Sequence, residues 1–233
     1  MKKNKTVILS YARTPFGSFL GKLSKLSASY LGASAIKGAV NRSDINNSHI
    51  DEVIMGNVLS AGIGQAPSRQ AAIFAGLDKS THCMTINKVC GSGMKSIMLG
   101  DQSIRLNESS FVIAGGMESM SNAPHYLKGS RLGSKLGDMK QIDGMIHDGL
   151  WDVYNQVHMG SHGESCALKY KIGREEQDEY AELSYKRSQN AHNKNILVNE
   201  ICDIEDTKGN SIDGVDEELF RVDFEKMRKL KPV

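Results

Sequence analysis

Of the four cysteines in this 233-residue chain, Cys90 is the one whose neighbours predict reactivity. Cys90 lies in Asn87-Lys88-Val89-Cys90-Gly91-Ser92-Gly93-Met94, a run that leaves a strand-like stretch and enters a helical one. A thiol at such a junction faces the unpaired amides and the positive end of the helix, which stabilise thiolate. Gly91 and Gly93 let backbone and substrate come close. The chemistry predicted is nucleophilic attack by sulfur; a cysteine buried beside a tight turn is the other reading the residues allow. Cys83, Cys166 and Cys202 show neither CxxC pairing nor a companion histidine at zinc-ligand spacing, so no metal site is predicted and a reducing compartment, the cytoplasm, is the simplest setting.

The elements that must hold this thiol alternate. Residues 6–10 read as a strand, 29–40 as a small-residue helix and 52–58 as a second strand, followed by a Gly-rich loop. Pro67 opens a helix through Gly76, because proline is tolerated in a first turn and Ala71-Ala72-Ile73-Phe74-Ala75 supplies propensity and an apolar face. A third strand is predicted over 82–86, a third helix over 90–106 and a fourth strand over 111–114. This order predicts an α/β fold with a mostly parallel sheet.

Beyond Gly116 the pattern changes: residues 117–160 are rich in Met, Gly, His and Ser without sustained periodicity and read as a long irregular, functional excursion. Helix returns at Arg174, where acidic residues fill a first turn and Lys186 and Arg187 follow. Residues 197–206 read as a strand turning at Lys208-Gly209-Asn210. A boundary near 120 divides the chain into 1–120 and 121–233.

Composition excludes several classes. Apolar residues at 39% and charged residues at 24% are ordinary for a packed domain, and a formal charge of +2 with scattered basic residues predicts no nucleic-acid partner. The opening Met1-Lys2-Lys3-Asn4-Lys5 is basic, but the apolar run after it is too short for a signal sequence. No stretch of about 18 apolar residues predicts a membrane span. Gly62-Ile63-Gly64 lacks the further glycine of a dinucleotide site, and no P-loop is present. Glu118 reads as a structural hydrogen-bonding group rather than a base, and His82 and Cys83 as core or dimer-interface residues.

The Cys90 run resembles the nucleophile motif of the thiolase family, and other motifs of that family stand in order around it. They are Ala12-Arg13-Thr14-Pro15-Phe16-Gly17, Gly64-Gln65-Ala66-Pro67-Ser68-Arg69-Gln70-Ala71-Ala72 and Ala114-Gly115-Gly116-Met117-Glu118-Ser119-Met120-Ser121, then Asp148-Gly149-Leu150, His158-Met159-Gly160, Arg174-Glu175-Glu176-Gln177-Asp178 and Lys229-Leu230-Lys231-Pro232. The resemblance, of the acetyl-CoA acetyltransferase type, implies a thiolase-like fold with helices on both faces of the amino-terminal sheet and an inserted loop domain that binds coenzyme A.

It further implies that Cys90 takes an acyl group from acyl-CoA as a thioester, which a second acetyl-CoA attacks to give acetoacetyl-CoA, or that the reverse thiolysis runs. Coenzyme A and acetyl-CoA are then substrates, and no cofactor stays bound. Leu150, His158, Met159 and Arg221 match positions that line the pantetheine channel or the adenine end. The stretch 125–138, with Lys128, Arg131 and Lys135, resembles a loop that joins dimers into tetramers, so a homo-oligomer is expected. The family's Gly-His-Pro histidine and Cys-x-Gly-x-Gly cysteine have no counterpart here, since none of the prolines at 15, 67, 124 and 232 follows a histidine. The expectation is an amino-terminal piece, its carboxy-terminal half absent or separately encoded, with a bare strand edge and an exposed apolar helix face. An inactive remnant or acyl-CoA-binding module, a thiolase for longer 3-ketoacyl chains, and a related ketoacyl synthase are the alternatives.

Overall fold

A computed structural model describes residues 5–232; residues 1–4 and Val233 lie outside it. Three five-residue strands, β1 (Glu52–Gly56), β2 (His82–Ile86) and β3 (Val112–Gly116), form a parallel sheet in the order β2-β1-β3. Its register aligns Gly56 with Ile86 on one side and with Gly116 on the other.

Alternation along β1 assigns each face. Val53 and Met55 join the main core, with Ala28, Ala33, Ile36 and Val40 of helix α1 (Ala28–Ser43) and Ala71 and Ala72 of helix α2 (Pro67–Phe74). These positions recur at helical spacing, so each helix offers one apolar stripe. Ser27 caps α1 by accepting from the Tyr30 amide, and α2 starts at its proline.

Helix α3 (Ser92–Leu106) covers the opposite face with small side chains: Ser92, Ser96, Gly100 and Ser103 are its buried residues. The Ser96 hydroxyl donates to the carbonyls of Gly93 at 2.6 Å and Gly115 at 2.7 Å. A Cβ on Gly100 would meet Val112 Cγ1 at 3.1 Å, so helix and sheet sit unusually close. The large side chains Met94, Ile97 and Met98 point outward, with Met94 72% exposed.

The expected strand over 6–10 has no ladder among the described residues, and Val7, Ile8 and Leu9 are exposed. β-propensity without a neighbouring strand leaves the backbone unpaired, and propensity alone does not make a strand. Only Arg13 bridges to Ile201, with Arg13 N–H donating to the Glu200 carbonyl at 2.9 Å and Cys202 N–H to the Arg13 carbonyl at 2.8 Å.

Past β3 the chain makes short pairings: β4 (His125–Leu127) with β5 (Gln141–Asp143), and β6 (Trp151–Asp152) with β7 (Val157–His158). Helix α4 (Met159–Tyr170) follows directly, an element the pattern did not predict, because Gly160 and Gly163 lower its propensity and none of its residues is buried. Helix α5 (Arg174–Asn193) begins where expected, and the Glu176 carboxylate accepts from the Gly173 amide at 2.8 Å. The strand expected over 197–206 shrinks to β8 (Ile204–Glu205), paired with β9 (Ser211–Ile212) across a turn in which Asp206 accepts from the amides of Lys208 and Asn210. Ile204 and Ile212 pack on Leu23, Leu26, Tyr30 and Leu31, which brings this later segment back against the start of α1. A short helix, α6 (Phe224–Met227), lies near the end of the described chain.

Candidate nucleophile turn and loop

Cys90 is exposed and sits two residues before α3, on a turn knotted by short hydrogen bonds. The Lys88 amide donates to Ser92 Oγ at 2.8 Å and the Ser92 hydroxyl donates to the Val89 carbonyl at 2.6 Å. Gly91 and Ser92 amides donate to the carbonyls of Lys88 and Val89, both at 3.1 Å. Neither of two hollows elsewhere on the surface is lined by Cys90.

Val89 has φ of 48°, in the left-handed region. A β-branched residue there is an outlier that costs roughly 1–3 kcal/mol and persists only when its surroundings hold it. Asn87 Oδ1 accepts the Val89 amide at 2.9 Å, an Asx turn that fixes this backbone. The Asn87 amide group donates to the Val58 carbonyl at 3.4 Å, and so reaches the loop after β1.

That loop is held by Glu118, just past β3. Its carboxylate accepts from the Val58 amide at 2.9 Å, the Leu59 amide at 3.2 Å and Asn57 Nδ2 at 2.8 Å. Burial pushes the Glu118 carboxyl above its usual range, only partly offset by these donors. Asn57, 1% exposed, also donates to the Met117 carbonyl. With every oxygen occupied by fixed backbone donors, Glu118 has the structural role its sequence position suggested.

Leu150, His158 and Met159 come together on one hairpin. Leu150 ends a π-type turn (Ile146–Leu150), and its successor Trp151 pairs with His158 across β6 and β7. His158 Nδ1 accepts from the Gly160 amide at 3.1 Å and so caps α4, which leaves Nε2 to carry the proton of the neutral ring. Asp152 ties the hairpin to α4: it accepts from Asn155 Nδ2, the Tyr154 amide and His162 Nε2, and its pKa falls to about 2, chiefly through Asn155 and the Tyr154 amide. A Cβ on Gly149 would touch Leu59, so the turn carrying Leu150 lies against the loop that Glu118 holds. In the same turn Asp148 accepts from the Tyr126 hydroxyl, which pushes that phenol up to about 12.

Arg221 is held by a different set. Its Nη1 donates to Ser18 Oγ at 2.8 Å and pairs with Glu218 at 3.3 Å and Glu217 at 3.6 Å. Nearby, Arg13 grips Asp216 with two nitrogens, at 2.7 and 3.0 Å, and Glu200 at 2.7 Å. Burial alone would raise the Asp216 carboxyl, but Arg13 and the Phe16 amide bring it below its usual range. Sequence reading quoted Arg13 only within a motif and did not foresee this clamp, whose partners lie 187 and 203 residues away. It also missed the parts of Ser92 and Asn87; the signal available for the latter was an asparagine two residues before a turn.

Among the described residues no helix is long and apolar enough to cross a membrane, and no group of three or more His, Cys, Asp or Glu could hold a metal ion. Residues 6–233 match the family described as "Thiolase, N-terminal domain". An acetyl-CoA acetyltransferase 1 of Arabidopsis thaliana is 50% identical over 229 residues, 97% of this chain and 55% of that protein. A mitochondrial acetyl-CoA acetyltransferase A of Xenopus laevis is 51% identical over 233 residues, 99% of this chain and 55% of its own length. A crystal structure of Acat5 thiolase from Ascaris suum in complex with coenzyme A superposes with a TM-score of 0.91 at 39% identity, covering 97% of this chain and 58% of that one. The chain thus spans a little over half the length of these proteins.

Proposed function

We propose, from the premise that this chain belongs to the thiolase family, that Cys90 accepts an acyl group from acyl-CoA and that the reaction served is condensation of two acetyl-CoA to acetoacetyl-CoA, or its reversal. The observation that carries the reading is the exposed Cys90 on a tied, strained turn at the head of α3. A sulfur nucleophile conserves thioester energy and divides one hard acyl transfer into two easier ones. Around it the proposal assigns coenzyme A to residues 121–233, with Leu150, His158 and Met159 on the pantetheine and Arg221 toward the adenine. His158 supports this by presenting a donor at Nε2 from a hairpin that Asp152 fixes. Arg221 would have to exchange some of its carboxylate contacts for the ligand.

The groups that activate the thiol and move the proton of the attacking acetyl are assigned to a carboxy-terminal half bearing Gly-His-Pro and Cys-x-Gly-x-Gly. Assembly into dimers or tetramers is proposed through the stretch 125–138, where Leu132 is 92% and Leu136 97% exposed. The four free cysteines fit a reducing compartment, the cytoplasm in this proposal.

The test is thiolysis of acetoacetyl-CoA by free CoA, with this chain supplied together with such a carboxy-terminal half. Turnover that needs both parts and vanishes with Cys90→Ser is expected. Turnover that survives Cys90→Ser refutes the assignment of the nucleophile.

A further inference from the structure

The backbone strain beside Cys90 has a specific restraint, and we infer that Asn87 is a positioning residue for the nucleophile: it holds Val89 in the left-handed conformation and so presents the Cys90 sulfur at the head of α3. The inference rests on Cys90 being the nucleophile.

Asn87 is placed to do this from both ends of its side chain. Oδ1 takes the Val89 amide at 2.9 Å, and Nδ2 reaches the Val58 carbonyl at 3.4 Å. Val58 is itself fixed through its amide to Glu118 at 2.9 Å. The restraint therefore runs from the end of β3 through the loop after β1 to the residue before the sulfur. Valine at φ of 48° has no intrinsic reason to stay there, since its branched Cβ disfavours that region more than almost any other side chain. Ser92 closes the far side of the turn through the Val89 carbonyl but does not touch the Val89 amide. Without the Asn87 oxygen that amide loses its partner, and Val89 relaxes toward an ordinary φ. Cys90 then leaves the place at the head of α3 where the turn presents its sulfur.

Two features separate this from general scaffolding. Asn87 is exposed and contributes no packing to the core, so its loss reads out locally. Glycine adopts positive φ at no steric cost, so it makes the restraint unnecessary.

The experiment measures iodoacetamide alkylation of Cys90 in the folded chain by peptide mass mapping, with exposed Cys166 on α4 as internal reference. Asn87→Ala should slow Cys90 about tenfold, equivalent to about 1.4 kcal/mol, while Cys166 keeps its rate. Asn87→Asp, which retains the acceptor for Val89, should recover most of the loss. Adding Val89→Gly to Asn87→Ala should restore Cys90 to within about threefold of the parent, and this double variant keeps the test decisive if the single one folds poorly. An Asn87→Ala rate within twofold of the parent, or no recovery with Val89→Gly, overturns the inference. The alkylation ratio does not depend on turnover, so failure of the nucleophile assignment is seen separately, as thiolysis that survives Cys90→Ser.

Discussion

Gly56 ends β1 directly beneath the first turn of α3, and Gly56→Ala is the sharpest single test of how the proposed nucleophile, Cys90, is seated. A methyl there would lie 2.5 Å from Ser92 Cβ, 2.7 Å from the Ser92 carbonyl carbon and 2.9 Å from the Gly93 nitrogen. Carbon atoms rest comfortably at about 3.5–4.0 Å, so the shortfall is roughly 1 Å. The obstructing atoms are mostly backbone and cannot rotate aside, which places the cost in the upper part of the overpacking range, about 2–3 kcal/mol. The strand is pinned on both sides, with the Asn57 amide on the Ile86 carbonyl and the Met117 amide on the Gly56 carbonyl, so the helix must give way. Ser92 would move with it and open the turn that carries Cys90. A displacement of about 1 Å at reacting groups costs on the order of 100-fold in rate. Urea unfolding and acetoacetyl-CoA thiolysis in the two-part assay measure the two effects. Gly115→Ala is the control, because its methyl would meet only the flexible Met55 thioether at 3.4 Å and should stay within about 1 kcal/mol of the parent. If Gly56→Ala keeps both its urea midpoint and its rate, the close approach of α3 to β1 is not what positions the thiol.

Glu118 and Arg13 give further tests. Because burial raises the Glu118 carboxyl, its contribution to stability is full below the usual glutamate range and is lost as pH rises through the raised value. Glu118→Gln should flatten that part of a stability-against-pH profile and cost about 1–3 kcal/mol, since its NH2 must face backbone donors; an unchanged profile counts against the burial argument. Arg13→Ala should destabilise by about 3 kcal/mol, the low end for breaking a buried pair, because part of Arg13 is in water. Asp216 has the opposite sign from Glu118: its stabilisation holds above the usual aspartate range and is lost as pH falls through the lowered value. That acid-side loss should shrink in Arg13→Ala, and urea midpoints at several pH values check it.

The sheet and its helices were legible because each uses a local signal. The short apolar run of β1, Pro67 at the start of α2 and the alanines behind it needed no distant information. The strand over 6–10 failed for the complementary reason: Val7, Ile8 and Leu9 have strand propensity, but pairing depends on a partner that no local pattern specifies. Helix α4 went unseen because its glycines weaken the signal and its sequence buries no face. Around the candidate site, the strand-to-helix junction at Cys90 was legible from the glycines after it. The restraint on Val89 was not, because valine is the residue least expected at positive φ, and the Arg13 clamp was not, because its partners lie in the last part of the chain.

The reversed layout of α3 bears on how this sequence can drift. Along Ser92, Ser96, Gly100 and Ser103 the helix meets the sheet almost backbone to backbone, with a Cβ on Gly116 falling 3.4 Å from Gly93 Cα. Side chains larger than serine on that face would lift the helix and carry Cys90 with it, whereas Met94, Ile97 and Met98 on the other side can change bulk without touching the strands. Tolerated variation should therefore be one-sided, with the residues that look least hydrophobic being the ones least free to change.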